Sequence, residues 1–268
     1  MTTQGYPARA HREQLQVKEI VREEIQSFCA RYQKQSRTAT RWREPLVGFA
    51  SARDPLFEQF ASLVCPTHSL PDALLPGART VVAFFLPFET FVAQSNIPGV
   101  HASREWATAY IETNTLIGAV CRHMGQFLGA RGCSFSATPP THNFDREKLV
   151  SNWSHRHVAV AAGLDNFGRN NMLITESGCC GRLGSFLTSL WIPPDRRIET
   201  ETCLHRRGSS CLRCVERCVN DALRVPIHSI GNDATRCASQ TENSSATWAQ
   251  RTCAASVLWG SRVRSRTR

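Results

Sequence analysis

The residues with the most evident chemistry lie in "CLHRRGSSCLRCVERC", where four cysteines fall within sixteen positions, Cys203 to Cys218. The core is Cys211-x2-Cys214-x3-Cys218, with Cys203 eight positions upstream. A two-residue gap lets a tight loop wrap one face of a cuboidal cluster. The x3 gap sets Cys218 about one helical turn beyond Cys214, so its sulfur points away and can reach a second cluster. That is the logic of the bacterial ferredoxin run. Two features depart from that run. Gly208 stands where the usual first cysteine would be, so Cys203 must serve through a longer loop, and Val219 replaces the proline that commonly follows the last cysteine. "VNDALRV" reads as the short helix expected next. Zinc is the alternative. Its structural sites usually present two ligand pairs across a longer spacer, whereas three crowded cysteines suit an iron–sulfur cluster better.

The chain has twelve cysteines in 268 residues. Reduced intracellular thiols in a cluster point to metal rather than disulfides. Cys29, Cys65, Cys121, Cys133, Cys179 and Cys180 read instead as small buried hydrophobes.

These cysteines need a scaffold. Residues 11–33 read as an amphipathic helix and "PLVGFA" as a short strand. "DPLFEQFASLV" reads as a helix with Asp54 as N-cap and Pro55 in the first helical position. "VVAFFLPF", Val81 to Phe88, reads as a buried strand, too short to cross a bilayer. A long helix fits Arg104 to Ala130 with Gly132 ending it, and "CSFSATPP" reads as a strand into a turn. Residues 145–162 read as helix, broken at Gly163, and the two histidines of "WSHRH" are expected at its surface. "NMLITES" and "GRLGSFLTSLWIP" read as strands around the turn "GCCG". The spacing of "GCCGRLG" and its context do not fit a nucleotide loop. Alternating strands and helices give an α/β fold, an α+β layered sheet domain. It is expected over residues 1–198, followed by a ferredoxin-like iron–sulfur module at 199–240 and an irregular basic tail at 241–268.

The polar N-terminus shows no signal peptide, no stretch suits a membrane span, and a cytoplasmic location is the expectation. The formal net charge is +10, but five arginines crowd the last eighteen residues with no acid among them. The excess is therefore not organised as a nucleic-acid patch on the folded part.

Beyond the cysteines, "HVAVAAGLDNFGRNNMLITESGCCGRLGSFLTSLWI" resembles the central block of the epoxyqueuosine reductase family, and "GARTVVAFFLPF" its first core strand. The resemblance runs over residues 45–240 and is nearest to short members carrying a segment like "HNFDREKLVSNWSHRH". It implies an N-terminal domain holding cobalamin and a module with two [4Fe-4S] clusters. Electrons from an external donor would pass through the clusters to the corrinoid, which reduces the substrate. In the family proper the substrate is an epoxide on a modified tRNA wobble base; reductive dehalogenases share the architecture. Carried over by residue, Cys203, Cys211 and Cys214 would hold the first cluster. Cys218 would join the second, with Cys237 the next ligand and Cys253 a further one. Gly163, Gly168, Asn170 and Asn171 fall in the block near the corrinoid, or serve simply as turn residues. The family's catalytic aspartate aligns with Leu149, which cannot donate a proton, so Asp145, His142, His155 and His157 become the candidates for general acid. The alternatives are a non-catalytic ferredoxin-like electron carrier and a zinc-stabilised RNA-binding protein.

A second cluster lacks ligands after Cys253, where only "AASVLWGSRVRSRTR" follows. Codons for "CAASVLWGSR", read two nucleotides later, permit Cys-Gly-Lys-Cys-Val-Val-Gly-x-Pro-Cys. The expectation is a frameshift after about Gln240. The coding DNA checks it: the shifted frame should encode that cysteine run, and codons incompatible with cysteine there would remove the idea.

Overall fold

The computed structural model describes residues 8–98, 101–139, 151–218 and 223. In chain order the elements are α1 (Ala8–Gln35), β1 (Leu46–Ser51), α2 (Leu56–Leu63), α3 (Pro71–Leu74), β2 (Thr80–Pro87), α4 (Thr90–Ser95) and α5 (Arg104–Gly129). There follow β3 (Phe135–Ala137), α6 (His155–Ala161), β4 (Asn166–Phe167), β5 (Leu173–Ile174), β6 (Gly181–Thr188) and α7 (Arg213–Glu216). Four strands form one sheet in the order β1-β2-β6-β3, and β4 with β5 makes a separate hairpin. Every strand pair in both sheets is antiparallel. The expected α/β layering therefore takes the α+β form, a mixed fold on an antiparallel sheet.

Helices cover both faces of the sheet. On one face Phe49, Val82, Phe84, Leu86 and Phe186 pack against Val21 and Ile25 of α1 and against Leu116, Ile117, Val120 and Met124 of α5. On the other, Ala50, Val81, Ala83, Phe85 and Leu187 meet Phe57 and Phe60 of α2, Trp153, and Val158 and Ala159 of α6. This explains the unbroken apolar run of β2. All eight of its residues are buried, so neither face needs polar side chains. Each large side chain so buried contributes roughly 1.5–3 kcal/mol.

Local signals set the helix ends. Asp54 accepts a hydrogen bond from the Leu56 amide at 2.9 Å, and Pro55 has helical backbone angles. The Ser103 hydroxyl caps α5 through the Trp106 amide at 3.1 Å. At its far end Gly132, with φ +73°, turns the chain into β3.

The helix expected over 145–162 is shorter. Residues 151–154 are not helical, and 145–150 lie outside the described residues. The Ser151 hydroxyl bonds the amide and the carbonyl of Trp153, a local alternative to helical bonds. The strand expected in "NMLITES" is only the two residues of β5.

The polar link after β6 is structural. The Asp195 amide donates to the Phe49 carbonyl (2.8 Å), and its carboxylate accepts the Phe49 amide (3.1 Å), so the segment covers the outer edge of β1. The same carboxylate meets buried Lys18 at 2.5 Å and Arg22 at 3.7 Å. Against the other face of β1, a Cβ on Gly48 would lie 2.3 Å from the Ala162 carbonyl oxygen. Glycine is what lets the end of α6 seat on the strand.

Gly48→Ala is therefore expected to cost about 3 kcal/mol or to prevent folding, because the obstacle is backbone. Gly129→Ala, where a Cβ meets nothing within 4 Å, should be neutral or stabilise by up to about 1 kcal/mol. Urea midpoints of the two variants check the contrast.

Candidate functional site

The thiols are brought in by contacts with the β4–β5 hairpin. The Asn166 side-chain amide donates to the carbonyls of Ile198 (2.8 Å) and Thr200 (3.3 Å). The Thr202 hydroxyl donates to the Asp165 carboxylate, which also accepts the Asn166 amide at 2.7 Å. Asp165 is buried at φ +143°, a conformation L residues avoid. At the hairpin tip Arg169 Nη1 donates to His205 Nε2 at 2.8 Å.

From Cys203 the chain makes one compact turn. The Arg207 amide donates to the Cys203 carbonyl (3.0 Å) and the Ser209 amide to the Leu204 carbonyl (2.9 Å), with Gly208 at φ +87°. Gly208, at the position of the missing first ligand, is the residue that turns the chain back toward Cys211. Cys214 sits on α7. Cys203 and Cys214 are buried, and Cys211 and Cys218 are partly exposed. The Cys214 thiol is pushed up to about 11 by burial and then by Cys203, with Cys211 adding to this and Arg169 opposing it. Cys203 and Cys211 are thus both within electrostatic reach of Cys214. Among the described residues no three His, Cys, Asp or Glu side chains are already set to hold a metal ion. Three thiols sharing one partly buried site are the donor chemistry an iron–sulfur cluster takes.

Cys218 does not continue a helix from Cys214. α7 ends at Glu216, and the Cys218 amide turns back to the Val215 carbonyl at 3.1 Å. Cys237, Cys253, Asp145, His142, Leu149 and most of "VNDALRV" lie outside the described residues. The scattered cysteines behave as expected: Cys29, Cys65, Cys121, Cys179 and Cys180 are buried, and only Cys133 is partly exposed.

The four residues assigned to the corrinoid block fall around the same hairpin. Gly163 has φ +75°, and a Cβ there would lie 2.7 Å from the Arg196 carbonyl oxygen. A Cβ on Gly168 would lie 2.7 Å from both Asn170 Oδ1 and Ile174 Cδ1. Both glycines are accounted for by the protein's own packing. Asn171 takes the left-handed turn at φ +58°, and its carbonyl accepts from Arg156 Nη1 at 2.6 Å. Asn170 accepts the Met172 amide (3.3 Å), while its Nδ2 is buried with no acceptor among the described residues. Asn170 thus holds a buried amide donor with no acceptor among the described residues.

The histidines of "WSHRH" are buried, contrary to the surface position expected, because α6 turns them into the packed face beside β6. The Trp153 indole donates to Ser185 Oγ (2.9 Å), and Ser185 Oγ lies 2.8 Å from His155 Nδ1. His155 Nε2 lies 3.3 Å from the Pro139 carbonyl. A carbonyl only accepts, so Nε2 carries the proton, and the Ser185 hydroxyl donates to Nδ1. Sequence reading missed this network, as it missed Asp165 and His68. His68 accepts the Ser154 amide at 3.1 Å and stacks on Trp153 with ring centroids 5.5 Å apart. Burial brings His68 down to about 4. It brings His157 to about 3, with Arg156 and His68 adding to the effect.

Both rings therefore stay neutral in the folded protein, whereas in the unfolded chain they protonate near 6.5. The folded state binds fewer protons, so stability is full above about pH 6.5 and is lost as pH falls toward 4 and 3. Between pH 6.5 and 5 the loss should be about 2 kcal/mol per histidine. In urea titrations at those two pH values, His157→Phe should lose less stability than the natural protein.

No family model and no curated protein matches the sequence. Solved structures do. An epoxyqueuosine reductase carrying an epoxyqueuosine-modified tRNA-Tyr stem loop superposes with a TM-score of 0.52 at 20% identity, over 78% of this chain and 53% of that one. A selenomethionine-labelled epoxyqueuosine reductase gives 0.51 at 18%, over 78% and 54%. The Bacillus subtilis enzyme, described with its catalytic aspartate loop swung out of the active site, gives 0.50 at 20%, over 78% and 53%. The chain spans about half the length of these proteins. Over the part that superposes, it has the fold of the epoxyqueuosine reductases.

Proposed function

We propose that the protein is an iron–sulfur reductase of the epoxyqueuosine reductase type. In this reading Cys203, Cys211 and Cys214 hold a [4Fe-4S] cluster, and Cys218 belongs to a second with Cys237 and Cys253. When bound, a cluster accepts single electrons from an external donor and passes them on. The observation that carries the reading is the thiol group itself: one compact turn leads from buried Cys203 through Gly208 to Cys211, and α7 follows at once with buried Cys214. The fold, shared with proteins that include one carrying a tRNA stem loop, supports the same reading. An epoxide on a modified tRNA base is then the proposed substrate.

The chain's own residues have distinct parts in it. Asp165 and Asn166 hold the segment leading to Cys203, Gly208 turns it back, and α7 presents Cys214. Asn170 Nδ2 is the donor proposed to meet a corrinoid amide, and Gly163, Gly168 and Asn171 shape the loop that carries it. Asp145 is the proposed general acid, delivering a proton to the epoxide oxygen. His155 is a poor acid because both ring nitrogens are already engaged. No helix among the described residues is long and apolar enough to cross a membrane.

Anaerobic reconstitution with iron and sulfide tests the cluster. The protein should gain iron and a broad absorption in the visible, and Cys214→Ser should lose most of both. Zinc bound without iron would instead support the zinc-stabilised alternative. Asp145→Asn should keep the iron of the reconstituted protein while slowing reduction of epoxide-bearing tRNA by 100-fold or more, on the order of the general-acid contribution.

A further inference from the structure

We propose that Arg169 sets the reduction potential of the cluster assigned to Cys203, Cys211 and Cys214, acting as a fixed positive charge beside its thiolates. This rests on the iron–sulfur reading. The residue is held in place from both sides. Behind it, the hairpin tip is closed by the Gly168 amide on the Met172 carbonyl (2.8 Å) and the Asn171 amide on the Gly168 carbonyl (3.0 Å). In front, Arg169 Nη1 donates to Nε2 of His205, two residues after Cys203. The side chain is half-buried, and its Nε has no acceptor among the described residues. No carboxylate among the described residues pairs with it, and Glu201 pairs with Arg206 at 3.7 Å.

An uncompensated guanidinium beside thiolates has a defined effect on electron transfer. Each reduction adds one electron to a thiolate-ligated cluster and makes the site one charge more negative. The electron comes from a low-potential one-electron donor, which is oxidised by one, and no bond is made or broken. A nearby cation stabilises the more negative state more, and so raises the potential. Arginine keeps its charge at any physiological pH, so the bias is permanent.

The test uses the full chain, anaerobically reconstituted, with Arg169→Gln and Arg169→Lys beside the natural protein. Each is titrated with dithionite under potentiometric control and followed by electron paramagnetic resonance. Arg169→Gln should make the cluster about tenfold harder to reduce, a shift of about 59 mV for a one-electron couple, and Arg169→Lys should recover most of it. A cluster lost in Arg169→Gln but kept in Arg169→Lys also supports the charge role. Equal potentials in natural protein and Arg169→Gln overturn the inference and leave the cluster standing. So does an equal shift in both variants, or loss of the cluster in both, which would mark Arg169 as a structural tether only. Natural protein that takes up no iron removes the iron–sulfur reading and the inference together.

Discussion

The hydrogen bond from the Thr202 hydroxyl to the Asp165 carboxylate is the contact on which the thiol site depends. Thr202 is the residue before Cys203, and Asp165 is buried in the segment that leaves α6. Asp165 can reach it because α6 is seated against β1, with the Ala162 carbonyl over Gly48. Gly163 then takes a positive φ beneath the Arg196 carbonyl, and the chain enters β4. The position of Cys203 is thus traceable to the central sheet through the close backbone seating at Gly48 and Gly163 and then through the Asp165 and Asn166 side chains. The unfavourable backbone of Asp165 belongs to the same logic. A strained conformation persists only where its surroundings fix it, and here two donors on one carboxylate do so.

The second face of the sheet is organised around polar groups kept uncharged. Ser185 lies on a buried strand, takes the Trp153 proton and gives its own to His155. A buried polar chain of this kind is stable only when each member is satisfied. His155 completes it by donating to Pro139. His68 and His157 reach neutrality by another route, since burial among Phe57, Phe60, Trp153 and Phe167 makes their charged forms costly. Aromatic rings and neutral imidazoles thus form one continuous layer between α2, α6 and the sheet.

Much of the scaffold was legible from sequence, for reasons particular to each element. β2 was readable because burial on both faces removes alternation and leaves a plain apolar run. α5 was readable because Gly132 marks its end, while the Ser103 cap at its start came only from the structure. The cysteine run stood out in sequence because its spacing is local. The misreadings arise where a distant contact decides. The helix over 145–162 was overextended because Ser151 bonds Trp153, a competition that helical periodicity does not register. His155 and His157 were placed outside because sequence polarity assumes a charged or solvated ring, whereas packing keeps them neutral and inside. Asp165 was missed because the usual sign of a positive φ is glycine. Asp195 was missed because a carboxylate in a polar link looks solvated until Lys18 and β1 meet it.

The same geometry narrows where a proton could come from in the proposed reaction. His157 holds its neutral form down to about pH 3, so near neutrality it has no proton to spare beyond the neutral ring's own. His155 carries its proton on Nε2, but that proton is committed to Pro139, the last described residue before the segment containing Asp145. Donating it elsewhere would cost both that bond and the Ser185–Trp153 chain behind it. A group with those bonds holds the backbone at Pro139 in place. Under the proposed reading His155 therefore holds the backbone at Pro139, and the acid function falls to Asp145.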